Sequence, residues 1–255
     1  MLLAIDVGNT NIVYGVFDGK NLILSLRMKT DKQKSGDEYG ISFLNSLKFN
    51  NIDSKNIKGI IISSVVPSLM HSLEAMTKRY FGLESIIVDN NLKMNIDIAY
   101  ENPSELGADR IANAVACVEK YEGPLIVIDI GTAMTFCYID KSKTYRGGLI
   151  FPGIGISSEA LFARASKLPS FEIVEAKRVV EKNTIASMQA GFYFGYVSLI
   201  DGIIDKIVEE KALDRVTLVG TGGFAPFLLK NAKHKFIIDQ DLTLEGLRIL
   251  YDLNM

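Results

Sequence analysis

Apolar positions along this chain fall into short continuous runs, and the runs recur in the same order. The first half opens with three strand-like runs, at 2–7, 11–17 and 22–29. Asn9-Thr10 separates the first two, and the tight-turn signal Asp18-Gly19-Lys20 separates the next. A polar stretch from Thr30 to Gly36 leads into a helix over 37–48, with Ile41, Phe43, Leu44 and Leu47 apolar. Gly59 to Val66 is an apolar run of the kind expected for a strand covered on both faces. Pro67 stands at the first position of a helix reaching about Tyr80, and Ser85 to Val88 predicts another short strand.

The second half repeats this order. Strands are predicted near 125–130, 134–140 and 144–151, with Asp140-Lys141-Ser142-Lys143 as a turn. Helices cover 154–165 and 184–210, and a strand over Val216 to Val219 precedes Gly220-Thr221-Gly222-Gly223 and a short helix. Phe236 to Ile238 is the last strand and 242–253 the last helix. Three antiparallel strands followed by alternating helices and strands, twice over, predict two α/β lobes with mixed sheets. The expected lobes are 1–121 and 122–255, with Gly123-Pro124 as the seam and the helix from about Ala108 to Tyr121 running into it.

The sharpest sign of duplication is a phrase that occurs twice. Leu3-Ala4-Ile5-Asp6-Val7-Gly8-Asn9-Thr10 near the start is matched by Ile126-Val127-Ile128-Asp129-Ile130-Gly131-Thr132-Ala133 in the middle. Each copy is an apolar strand ending in Asp-x-Gly and a small polar residue, followed by a second strand. Two lobes that each offer an Asp-Gly loop to the cleft between them suit a nucleoside triphosphate and a metal.

Composition narrows the class. The apolar fraction of 48% is ample for buried cores, and the formal net charge of −2 gives no broad electrostatic footprint for nucleic acid. The N-terminal apolar residues run straight into Asp6 without the pattern of a signal peptide, and no run reaches the ~18 apolar residues of a membrane span. Cys117 and Cys137 sit in apolar contexts without metal or redox spacing, so reduced core thiols are expected. A cytoplasmic protein with no membrane or nucleic-acid partner is the expectation.

Four segments carry candidate chemistry. In Asp6-Val7-Gly8-Asn9-Thr10-Asn11, glycine permits close approach of a phosphate to the backbone, and the amide and hydroxyl side chains add donors. Asp6 at the strand end can hold Mg²⁺ directly or through water. A plain hairpin turn explains Gly8-Asn9 equally well in isolation; the second copy, with its own strand-end Asp129, favours a site. Neither copy is a Walker loop. Gly220-Thr221-Gly222-Gly223 is a third strand-to-helix glycine loop able to admit a base or phosphate. Gly107-Ala108-Asp109-Arg110 opens a helix, where capping and the helix dipole already explain Asp109. Arg110 is poorly placed for that dipole, so the pair also reads as a base beside a binder of acidic substrate. His71 and His234 have no ligand partners at metal spacing, and no nucleophile elbow occurs.

These segments together resemble the superfamily of acetate and sugar kinases, heat-shock ATPases and actin. The combination of the two Asp-Gly loops with Gly107-Ala108-Asp109-Arg110, Gly147-Gly148-Leu149-Ile150, Pro152-Gly153, Asn183-Thr184, Gly191 and Gly220 to Gly223 resembles type III pantothenate kinases across almost the whole chain. One departure is Gln240 after Asp239, where the family often has proline. The resemblance implies duplicated ribonuclease H-like (actin-like) lobes, each a mixed sheet flanked by helices, and ATP-dependent phosphorylation of pantothenate. It implies ATP contacts by Asp6, Val7, Gly8, Asn9, Thr10, Asn11, Ile12, Val13, Thr132, Gly222 and Gly223. Asp109 would be the general base, and Tyr100, Gly107, Ala108, Asp109, Arg110 and Thr184 would meet pantothenate. Asp6 would support Mg²⁺, and Asp129 a monovalent cation, K⁺ or NH₄⁺. Family members are typically homodimers, and the apolar helix 184–208 is a candidate contact surface, although such a stripe also suits an internal core. The alternatives are a kinase for another small acidic or sugar substrate, and a non-enzymatic actin-like nucleotide-binding regulator. A retained Asp109 favours the enzyme.

Overall fold

The computed structural model describes residues 1–255. They form two compact units, Met1–Glu119 with Asp241–Met255, and Lys120–Gln240.

In the first unit, β1 (Leu2–Val7), β2 (Asn11–Asp18), β3 (Asn21–Lys29), β4 (Gly59–Ser64) and β5 (Ile86–Ile87) make one sheet in the order β3-β2-β1-β4-β5. The central strand β1 runs antiparallel to β2, with Asp6 opposite Val13, and parallel to β4, with Asp6 beside Ser63. Leu3, Ile5 and Val7 face one core together with Ile12, Tyr14, Ile60 and Ile62. Each such aliphatic side chain removed from water contributes about 1.5–3 kcal/mol, so the register cannot slip by one residue.

Helix α1 (Gly36–Phe49) covers that core with Tyr39, Phe43 and Leu47, spaced four apart on one stripe. It begins where Ser35 and Glu38 form a reciprocal capping box. Helix α2 (Pro67–Met76) starts with proline at its first turn, as expected. Beyond Met76 the chain widens into a π-helical turn, Thr77–Phe81, ended by the left-handed Gly82. The sequence pattern predicted one uniform helix here. The wider turn places Tyr80 over Gly40, where any side chain on α1 would collide with its ring, and its hydroxyl donates to Asp37.

A two-residue strand β6 (Asp97–Ile98) and a short 3₁₀ turn, Pro103–Glu105, precede helix α3 (Ala108–Lys120). This helix is buried from Ala108 through Val118 except at Asp109.

The second unit is built on β7 (Leu125–Ile130), β8 (Ala133–Ile139) and β9 (Thr144–Pro152), then helices α4 (Ile154–Arg164) and α5 (Thr184–Glu210). Strand β10 (Thr217–Thr221), helix α6 (Ala225–Leu229) and strand β11 (Ile237–Ile238) follow. Its strands run β11-β10-β7-β8-β9. The central strand β7 is antiparallel to β8, with Asp129 opposite Thr135, and parallel to β10, with Asp129 beside Thr221. Both copies of the repeated phrase therefore occupy one topological position. Each is a central strand whose penultimate aspartate lies between an antiparallel hairpin partner and a parallel neighbour. The apolar stripe of α5 packs inside this unit, through Tyr193, Tyr196, Val197, Ile200, Ile204 and Ile207 against Ile126, Ile128 and Phe136. That stripe is core, while Phe192, Leu199 and Ile203 of the same helix are only partly buried.

The compact units divide at 119/120 and again at 240/241, whereas the sequence pattern predicts lobes 1–121 and 122–255. Helix α7 (Leu242–Asn254) returns to the first unit. Gly246 lies against the Ala112 carbonyl of α3, Tyr251 packs on Gly59 of β4, and the Thr243 hydroxyl donates to Asn113 at 2.7 Å. Chain order alone cannot reveal such a return. Both cysteines are free and buried, as expected.

Candidate active site

In the first unit, the β1–β2 hairpin closes through the Gly8 N–H donating to the Asn11 carbonyl at 3.0 Å. Gly8 has no left-handed φ; its requirement is space, because an added Cβ would stand 2.9 Å from the Asn11 oxygen. Thr30, at the end of β3, holds the loop from behind. Its hydroxyl donates to the Gly8 carbonyl at 2.6 Å and its N–H to the Thr10 carbonyl at 2.9 Å. Asn9 and Thr10 are exposed at the tip, and Asp6 is half-buried at the strand end. Val7 and Ile12 are fully buried, so these two named positions can meet a nucleotide only through the backbone. Thr30 was not a candidate from sequence, since nothing distinguishes it from any polar residue ending a strand.

Asp109 occupies the first turn of α3, where its Oδ1 accepts the Arg110 N–H at 2.8 Å. Burial, the dominant influence, raises its pKa above the ordinary carboxylate range; that hydrogen bond and the Arg110 guanidinium offset the rise only partly. Arg110 itself is only 6% exposed. Gly107 leaves the space that Asp109 fills, since a Cβ there would lie 2.5 Å from Asp109 Oδ1. The unit thus holds a desolvated carboxylate next to a buried cation. That is the arrangement expected of a proton acceptor beside an anion binder. Tyr100 is half-buried upstream.

In the second unit, three backbone loops converge around Asp129. The β7–β8 hairpin closes through the Gly131 N–H to the Ala133 carbonyl, and the Gly153 N–H donates to the Thr132 carbonyl at 2.9 Å. Opposite them, Gly222 has φ +90°, and a Cβ there would lie 2.5 Å from Asp129 Oδ1 and 2.6 Å from the Ile130 nitrogen. The glycine loop is pressed against the aspartate, and only glycine fits. Asp129, Gly131, Thr132, Gly153 and Gly222 are brought together, whereas Gly223 is exposed at the start of the turn into α6. Thr184 lies elsewhere in this unit, exposed on the first turn of α5. It lines a surface depression of about 580 Å³ with Leu168, Lys182, Asn183 and Ser187.

No group of three or more His, Cys, Asp or Glu side chains is placed to hold a metal. A cation here would take most of its ligands from phosphates, water and backbone carbonyls, which suits Mg²⁺ on a nucleotide. A half-buried carboxylate beside Gly131 and Gly222 has the oxygen chemistry a monovalent cation needs, and the half-buried Asp6 at its strand end has the chemistry to hold a divalent ion through water.

Matching Asp-Gly hairpins in the two units, a third glycine loop and a desolvated carboxylate are what a phosphotransferase of the actin-like kinase class would need. A Sinorhizobium meliloti protein assigned as a 2-dehydro-3-deoxygalactonokinase shares this fold, with a TM-score of 0.65 at 11% identity over 98% of this chain and 96% of that one. A Campylobacter jejuni protein assigned to the Baf family of transcriptional activators superposes with a TM-score of 0.62 at 22% identity, covering 98% and 97% of the two chains. These likenesses establish the fold. A model of the type III pantothenate kinase family matches residues 2–206. The type III pantothenate kinase of Exiguobacterium sp. is 48% identical over 254 residues, all of this chain and 99% of that protein. The chain belongs to the type III pantothenate kinase family.

Proposed function

We propose that this chain transfers the γ-phosphoryl group of ATP to the primary hydroxyl of pantothenate, giving 4'-phosphopantothenate at the entry to coenzyme A biosynthesis. The observation that carries the mechanism is Asp109, a carboxylate desolvated at the head of α3 beside the buried Arg110. Phosphoryl transfer asks the protein mainly for alignment and charge neutralisation. Asp109 orients the hydroxyl and accepts its proton as the bond to phosphorus forms, without ionising the alcohol beforehand. A raised pKa makes this carboxylate a better proton acceptor than an exposed one. Arg110 pairs with the pantothenate carboxylate, and Tyr100, Gly107 and Ala108 complete the acceptor's surroundings in the first unit; Thr184, in the second, is assigned to pantothenate from the family resemblance alone.

On the nucleotide side, the Asp6–Val13 hairpin, Thr132, Gly222 and Gly223 receive ATP, with Val7 and Ile12 acting through their peptides. Asp6 supports Mg²⁺, directly or through water, and Asp129 holds K⁺ or NH₄⁺. These cations offset phosphate charge. The reading extends to a homodimer in the cytoplasm, with neither membrane nor nucleic acid as partner. No helix is long and apolar enough to cross a membrane. Besides the helix 184–208, the dimer surface takes in β9 and α4, where Ile150 is 65% and Phe162 52% exposed and Leu149, Phe151 and Ile156 are exposed as well. Exposed apolar side chains of this size favour burial against a second copy of the chain.

The test is ADP release with ATP, Mg²⁺ and K⁺, comparing pantothenate with a panel of sugars and short hydroxy acids. Pantothenate alone is expected to support turnover. Turnover on a sugar, with none on pantothenate, would replace the acceptor assignment.

A further inference from the structure

One carboxylate ties together the two places where the chain passes between its compact units. The chain enters the second unit at Lys120 and leaves it after Gln240. Asp239, with only 10% of its side chain exposed, accepts from Lys120 Nζ at 2.5 Å and from the Tyr121 hydroxyl at 2.8 Å. Its own N–H donates to the Gly220 carbonyl at 2.8 Å, extending the β10–β11 pairing by one bond. Asp239 is thereby fixed on three sides, and it sets the direction of the next side chain. Gln240 Nε2 donates to the Gly222 carbonyl at 3.2 Å.

Gly222 is the residue of the glycine loop that lies against Asp129. Within the loop its carbonyl accepts only the Ala225 N–H, at 3.1 Å, a local turn bond, while the Phe224 N–H ties the loop to the Ile130 carbonyl of β7 at 3.2 Å. The second donor to this carbonyl, from Gln240, comes from outside the loop. Glycine gives this peptide more conformational freedom than any other residue would, so an external bond has the most to restrain here.

We propose that Gln240 is a positioning residue for phosphoryl transfer. Braced by Asp239, it locks the Gly222 peptide and so holds the glycine loop at its working distance from Asp129. This rests on the reading of that loop and Asp129 as part of the ATP and cation site. Gln240 touches no reacting atom; it acts through Gly222.

The experiment uses the full-length protein and its variant Gln240→Met, which keeps the side chain's length and removes its donor. Calorimetry with ATP and Mg²⁺ gives Kd, steady-state kinetics give the KM for ATP and pantothenate and the K⁺ half-saturation, and thermal unfolding gives Tm. One solvent-exposed hydrogen bond predicts a rise of about three- to tenfold in ATP Kd and KM. K⁺ half-saturation should rise with them, while pantothenate KM and Tm stay at native values. Asp239→Ala should weaken ATP in the same way and also lower Tm, because it strips two donors of their acceptor. ATP affinity unchanged in Gln240→Met overturns the proposal. So does a loss shared equally by ATP and pantothenate with a fall in Tm, the mark of a merely structural role. If the native protein binds no ATP, the functional reading fails and this proposal with it, an outcome visible before any variant is compared.

Discussion

Gly222→Ala against Gly19→Ala separates backbone strain from the close contact at Asp129. Both glycines have left-handed φ, +90° at Gly222 and +58° at Gly19, so alanine is strained at either position. That strain costs about 1–2 kcal/mol. Around Gly19 nothing lies within 4 Å of an added Cβ, and the strain is the whole cost. At Gly222 the new methyl would stand 2.5 Å from Asp129 Oδ1, 2.6 Å from the Ile130 nitrogen and 2.7 Å from the Ile130 carbonyl carbon. Two of these atoms are backbone of the central strand and cannot swing aside. Overpacking of this kind adds about 1–3 kcal/mol, bringing Gly222→Ala to about 2–5 kcal/mol. At roughly 2–4 °C per kcal/mol for a chain of this size, Gly222→Ala should lower Tm by about 4–20 °C, and Gly19→Ala by about 2–8 °C. Circular dichroism melts give Tm, and calorimetry gives ATP affinity, which should fall only in Gly222→Ala. A Gly222→Ala protein that melts no lower than Gly19→Ala and binds ATP normally would refute the argument that this loop is fitted against Asp129.

Three other outcomes follow from the same structure. Burial raises the pKa of Asp109, so its ionised form opposes folding. That cost is absent below the ordinary value of 3.8 and complete once the pH exceeds the raised value. Asp109→Asn should therefore raise Tm at neutral pH, with the gain disappearing as the pH falls toward 3.8, and melts across that range check the sign. Asp129→Asn should abolish the stimulation of turnover by K⁺ while leaving pantothenate KM near native, which a K⁺ titration measures. Ile150→Asp, on the exposed apolar part of β9, should convert a dimer into monomers in sedimentation velocity, without lowering the Tm of the subunit by more than a few degrees.

Much of the fold could be read directly from the residue pattern, because the decisive signals were local. The continuous apolar runs gave β1, β4 and β7, Pro67 gave a helix start, and the repeated Asp-x-Gly phrase gave the duplication. What could not be read depended on contacts distant in sequence. Helix α7 packs on α3 and β4 because Gly246 and Gly59 leave room for it, and neither glycine announces its partner. The π-helical turn after Met76 brings Tyr80 onto Gly40, a contact no periodicity encodes. In the site, Asp6, Asp109 and Asp129 stood out because carboxylates at strand ends and helix starts are chemically conspicuous. Thr30 and Asp239, which brace the loops, did not, since a polar residue becomes a brace only when a carbonyl or cation is folded against it. Gln240 was visible only as a departure from the family pattern.

The most direct test of the account compares pantothenate-dependent ADP release by the native protein and by Asp109→Asn, with ATP affinity measured in the same preparations. The account predicts turnover that falls by about 10²–10⁴-fold in the variant while ATP Kd stays native. A native protein that binds ATP in the presence of K⁺ and Mg²⁺ yet does not phosphorylate pantothenate would contradict the assigned reaction. An Asp109→Asn variant turning over at the native rate would contradict the base at its centre.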